Sequence, residues 1–468
     1  MREIKPRKEQ ALREKTLEQE YLDFSRKSTV KVVKEYRMKY EAISEVLEAN
    51  PKILNLVHKD LSNGLSESER GRGGYTSEQI LRALIVMFIE GDSYRDVVVR
   101  IENSEFFQRF VKLGIEPMMD YSFLCKAYGV LTEETWKAMN VALSSYAKKE
   151  EKITQEKVRV DSTVYETNIH YPTDSSLLWD SFRTLARVMK HGAEEMQMVG
   201  LTHRFHIKKV KKLAHFISRN SDKKGKKTQR KIMENYRKLI DRVSWIAEAG
   251  HTAKILLAEG GPKARVVAAE LNHYVAIVEK IIAQAERRVF RGEKVPSDEK
   301  VYSLFEEHTE LLKRGKAGKP IEFGHKVLLA ETGEKFILHY NALAKQQADK
   351  DLLDETIKAH RKIFGKGPEV LAADKGFYES REQIKKLSKK IKTVSICKKG
   401  RRTEEESERE STEGFKAGQR FRAGIEGTIS VLKRAFKLKR CLFRGFKNYA
   451  VSLGCAVFCH NLVLLAGL

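Results

Sequence analysis

Residues 157–164 read KVRVDSTV. Apolar and polar side chains alternate with period two, and the apolar ones are β-branched, which predicts a strand with one buried face. Asp161 lies inside that strand, where aspartate is a poor fit. Working outward, EFGHKVLLAE (322–331), the turn Thr332-Gly333 and EKFILHYN (334–341) predict a hairpin. PEVLAAD (368–374) predicts a short apolar strand ending at Asp374, followed by a helix over 379–390 and a strand in IKTVSI (391–396). TEEESERESTE (403–413) reads as an acidic polar linker, and 419–438 as a helix carrying Glu426. Strand, hairpin, strand–helix–strand and helix make an α/β order.

Upstream the character differs. Gly71-Arg72-Gly73-Gly74 breaks the chain, and Thr76 with Gln79 forms a capping box before ILRALIVMFIE (80–90). Ser93 and Asp96 can cap YRDVVVRIE (94–102), and further helices are expected through SEFFQRFVKLG and from about 132 to 148. Residues 1–150 are therefore expected to be an all-helical domain, used for DNA binding or dimerisation, and 151–468 the α/β part. A mostly helical stretch at about 180–310 interrupts the latter. Residues 449–468 contain no Asp, Glu, Lys or Arg and are long enough to span a bilayer, but they include His460 and Asn461 and read as a buried core helix.

The chain has 468 residues, 41% hydrophobic and 33% charged, which excludes a disordered chain. Five cysteines argue against a disulfide scaffold. The N-terminal MREIKPRKEQALREK lacks a secretion signal, so a cytoplasmic, nucleoid-associated address is expected. The net charge is +25, and three runs supply it: 203–238 at +12, 385–402 at +9 and 433–447 at +7. Any one run could be a solvated helix face. Together they favour a phosphate-binding surface and hence nucleic acid. Lys208, Lys209, Lys211 and Lys212 are the densest part of the first run, and Arg95 and Arg100 are the basic side chains of the short helix 93–102, of a size to enter the major groove.

Three carboxylates stand out: Asp161, Asp374 and, in a basic helix, Glu426. If they converged they would repel one another unless cations neutralised them. Two divalent metals would do so and would clamp both oxygens of a phosphodiester exchange, and hard oxygen ligands suit Mg²⁺ or Mn²⁺. Alternatively, Asp161 caps a loop, Asp374 makes a turn before Gly376 and Glu426 pairs with Arg422. Cys455, Cys459 and His460 read as core, and His325 and His339 as strand residues.

The motifs VRVD161ST, LAAD374KGFY and R422AGIE426GTISVLK433R resemble the DDE transposases of prokaryotic insertion sequences. The helices of 80–107 resemble the helical N-terminal domain of the same enzymes. The resemblance implies an RNase H-like mixed sheet flanked by helices, with Asp161, Asp374 and Glu426 as catalytic metal ligands for two Mg²⁺ or Mn²⁺ ions. It also implies double-stranded DNA partners, namely the element's terminal inverted repeats and target DNA, a homodimer in the synaptic complex, and no membrane. Arg422 and Lys433 match the basic positions of the family's helix signature, while its tyrosine position is Gln419, a departure. The other readings are a catalytically inactive DNA-binding or repressor relative and a structure-specific nuclease with the same core. No G-x-x-x-x-G-K-[ST] run is present, as expected for transesterification without nucleotide fuel.

Overall fold

The computed structural model describes residues 29–63, 74–196, 205–313, 320–343 and 352–467. The glycine break at 71–73 and the loop at 315–319 lie outside them. The chain forms two compact units, one built on residues 167–324 and one on the residues up to 166 and from 325 onward.

In the second unit the chain starts with helices α1 (Lys31–Glu48), α2 (Pro51–Ser62), α3 (Ser77–Ile89), α4 (Tyr94–Glu102), α5 (Glu105–Val111), α6 (Tyr121–Val130) and α7 (Glu133–Lys149). Both expected capping boxes form, Thr76 with Gln79 and Ser93 with Asp96. Each satisfies backbone donors that a helix start leaves without a partner. Strand β1 (Lys157–Thr167) follows.

The unit built on 167–324 contains α8 (Asp174–Met196), α9 (Ile207–Asn220), α10 (Lys226–Ala258), α11 (Pro262–Val289) and β2 (Glu310–Lys313), with β2 antiparallel to the start of β3 (Ile321–Thr332). Its helices share an apolar core that includes Phe182, Leu239, Val243 and Leu271. Trp179 packs against that core.

From β3 onward the chain runs through β4 (Ile337–Ala342), α12 (Leu353–Phe364), β5 (Val370–Ala373), α13 (Arg381–Ser388), β6 (Thr393–Ile396), α14 (Glu404–Ser411), α15 (Glu413–Ala423), α16 (Ile425–Ala435), β7 (Arg440–Cys441) and α17 (Phe446–Gly467). The hairpin pairs β3 with β4 antiparallel, β3 lies beside β1, and β1–β5 and β5–β6 are parallel. The sheet order β4-β3-β1-β5-β6 puts the first strand in the middle, a meander on one side and parallel strands on the other. That is the RNase H-like mixed sheet.

Helix α17 is the one helix among the described residues long and apolar enough to cross a membrane. Here it is a core helix, packed against α1, α3, α7 and β4. Asn461 is fully buried in it, and its amide donates to Asn140 Oδ1 (2.8 Å) and the Ile337 carbonyl (2.9 Å) while accepting from Ile337 N–H (3.0 Å). A buried amide must be satisfied in this way.

Two expectations are corrected. The acidic segment 403–413 is helix α14 and the start of α15, not a linker. Its acids find cations in the preceding basic run: Lys398 pairs with Glu406 (2.6 Å) and Arg402 with Glu410 (2.9 Å), while Tyr378 donates to Glu406 (2.8 Å). The single helix expected over 419–438 is interrupted at Gly424, between α15 and α16. A Cβ on Gly424 would lie 2.9 Å from the guanidinium carbon of Arg159 and closer still to one of its nitrogens, so any side chain there would have to displace that guanidinium.

Candidate active site

Asp161 and Asp374 are placed by strand register. Val160 pairs with Ala373 across the parallel β1–β5 ladder, so the two aspartates follow neighbouring residues on adjacent strands. Such strands lie about 4.8 Å apart. Asp161 Oδ1 accepts from Ser162 N–H (2.7 Å), and Asp374 Oδ1 accepts from Lys375 N–H (2.8 Å) at the start of the short turn Lys375–Phe377. Asp374 thus does cap a turn, and it is exposed beyond the strand end.

Glu426 sits in the first turn of α16 with a side chain 70% exposed. Arg422, in the last turn of α15, joins it to the strand: one guanidinium nitrogen is 3.8 Å from Glu426 Oε1 and another 3.8 Å from Asp161 Oδ2. A cation therefore lies between two of the three acids and offsets their repulsion. Among the described residues no three His, Cys, Asp or Glu side chains are gathered closely enough to hold an ion. The donor set nevertheless fits a hard divalent cation, because all three groups are carboxylates and two stand on neighbouring strands. Lys433, half-buried in the last turn of α16, is seven residues from Glu426 and shares its side of the helix.

Gln419 has a structural task. Its amide nitrogen donates to the Ser395 carbonyl (2.7 Å) and hydroxyl (3.1 Å), anchoring α15 to β6. Gly418 allows the approach, since a Cβ there would lie 2.5 Å from that of Ser395. Beside this anchor runs an open groove of about 690 Å³, whose lining includes Arg402, Lys416, Arg420 and Arg422.

The remaining candidates lie elsewhere. Arg100 on α4 is engaged with Asp92 (2.9 Å through Nη2) and lies near Glu90, and the Arg95 guanidinium lies 4.9 Å from the centre of the Tyr121 ring. Lys208, Lys209, Lys211 and Lys212 are exposed on α9, in the other compact unit. His325 is fully buried and packs edge-on against Phe446 and Tyr449. His339 is half-buried and His460 buried, and desolvation lowers both imidazoles to about 4, which fits core residues. Sequence reasoning missed Arg159 and Glu331, a buried ion pair two residues from Asp161 along β1. The available signal was a charge inside each apolar run, VRV and VLLAE.

Residues 304–462 match the family model described as Transposase DDE domain, and residues 32–129 match Transposase domain (DUF772). The first match contains Asp374 and Glu426 but begins after Asp161. No curated protein and no solved structure matches the chain. With a sheet in RNase H order and both transposase domains in one polypeptide, the chain belongs to the DDE-type transposases of insertion sequences.

Proposed function

We propose that this transposase binds the terminal inverted repeats of its element, cleaves at the element ends and joins them to target DNA, with Asp161, Asp374 and Glu426 as its catalytic carboxylates. The observation that carries the reading is the parallel register of Val160 and Ala373, which sets Asp161 beside Asp374, with Arg422 reaching from Asp161 to Glu426.

The three carboxylates would hold two Mg²⁺ or Mn²⁺ ions. Such ions, when bound, lower the pKa of the attacking oxygen and stabilise the departing one. The chain's own residues do the rest. Arg422 and Lys433 hold phosphate oxygens on the Glu426 side, and Arg402, Lys416 and Arg420 guide the backbone along the adjoining groove. In cleavage, water attacks the phosphorus and the 3′-oxygen leaves as a hydroxyl. In joining, that hydroxyl attacks a target phosphodiester and displaces another 3′-oxygen, so bond number is conserved. Helices α1–α7 are proposed to contribute recognition of the repeat, with Arg95 and Arg100 on α4 exchanging their present partners for base edges. Two copies hold the two ends.

The test is a strand-transfer reaction with DNA carrying the element's ends, a supercoiled target and Mg²⁺. Joined product is expected, and Asp161→Ala and Glu426→Ala should each abolish it while leaving end binding within about threefold. Nicking without any joined product would replace the reading with a structure-specific nuclease.

A further inference from the structure

Arg159 is a guanidinium in the middle of an apolar strand, only 5% exposed. Its Nε and Nη2 meet the Glu331 carboxylate, itself fully buried. Its Nη1 donates to the Phe421 carbonyl (2.8 Å), and its guanidinium carbon lies 4.7 Å from the centre of the Phe421 ring. The same carbonyl accepts from Gly424 N–H (3.2 Å). Phe421 thus lies in the last turn of α15, and a cation there suits the carbonyl-rich end of a helix. Glu331 is turned toward Arg159 where the β3–β4 ladder slips register, between Ala330 and Glu331, and such irregularities re-aim side chains. Burial holds the Glu331 carboxyl above its usual range, and the Arg159 charge opposes that rise without cancelling it.

One buried charge pair therefore ties β1, β3 and the end of α15 together, with Gly424, the residue that precedes α16, lying against the Arg159 guanidinium, two residues from Asp161 along the chain and two residues before Glu426. We infer that Arg159 and Glu331 are positioning residues for the reaction, fixing the start of the Glu426 helix against the Asp161 strand. This rests on the reading of Asp161 and Glu426 as catalytic. The forked geometry is part of the inference: a lysine ammonium carries the charge but cannot bond Glu331 and the Phe421 carbonyl in fixed directions at once. Stability alone does not require the pair, because buried ion pairs replaced by apolar side chains of similar volume commonly leave a protein as stable as before.

The experiment compares full-length Arg159→Met/Glu331→Leu, Arg159→Lys and Glu426→Gln with the parent protein. It reads thermal melting, binding of end DNA, single-turnover cleavage in Mg²⁺, and hydrogen exchange of the amides of 421–428. The apolar double variant is expected to melt near the parent temperature and to bind end DNA normally. It should exchange faster at 421–428 and cleave about a hundredfold more slowly, the loss that a shift of about 1 Å produces. Arg159→Lys should share the faster exchange and the slow cleavage, and it serves as the readout if the double variant fails to fold. Parent-like cleavage by either folded variant would overturn the inference, whatever the exchange shows. Glu426→Gln separates the two claims: if it cleaves like the parent, the catalytic reading fails first.

Discussion

Arg422 shows how two of the three candidate acids, Asp161 and Glu426, are held near one another by a cation. It bridges Asp161 and Glu426 at 3.8 Å on both sides, and its own side chain is 20% exposed. Ion pairs of that length near solvent contribute about 0–1 kcal/mol to stability. Arg422→Gln should therefore leave thermal melting nearly unchanged. It should slow cleavage of end DNA more than tenfold, because a phosphate-holding cation is lost beside the acids; equal cleavage by the variant would place Arg422 outside the reaction. Asp161, Asp374, Glu426, Arg422 and Lys433 were all visible as candidates in their motifs, since each conflicts with its local setting or matches the helix signature. Arg159 and Glu331 were not. Each has its partner about 170 positions away, and nothing in a linear pattern pairs a charge in VRV with one in VLLAE.

At the scale of elements, the strands were legible because each is a period-two or wholly apolar run bounded by turn residues, and the observed β1, β3, β4, β5 and β6 follow them. Helix α14 was not, because eight polar residues carry no apolar periodicity; its acids pair with Lys398 and Arg402 of the run 385–402. Likewise the break at Gly424 follows from the approach of Arg159, which only the tertiary structure reveals. The α14 clamp should be pH-sensitive. Lys398, first, then the Thr403 backbone and Tyr378 hold the Glu406 carboxyl down at about 2, against an ordinary 4.5. A carboxylate held low stabilises the fold above its unfolded pKa, and that contribution fades as pH falls through the folded value. Melting curves of the parent and Glu406→Gln should differ most above pH 4.5, and the gap should close as pH approaches 2. A gap independent of pH would assign the effect to packing instead.

On the scale of the whole molecule, the basic charge and the candidate catalytic acids are distributed differently. The acids and their cations belong to the unit with the RNase H-like sheet, while the +12 run is carried largely on α9 and the first half of α10, in the unit built on 167–324. If about eight phosphates are neutralised, log K for DNA should fall with log salt at a slope of roughly −7. Changing Lys208, Lys209, Lys211 and Lys212 to Gln should flatten that slope without altering preference for the repeat, and an unchanged slope would take α9 off the DNA. The assignment of the reaction itself is tested most directly at Asp374, which stands at a strand end where its carboxylate contributes little to packing. Single-turnover cleavage of a terminal-repeat duplex in Mg²⁺ should be undetectable with Asp374→Asn, while the variant binds that duplex as tightly as the parent or slightly more tightly. Cleavage at the parent rate would show that Asp374 takes no part in the chemistry.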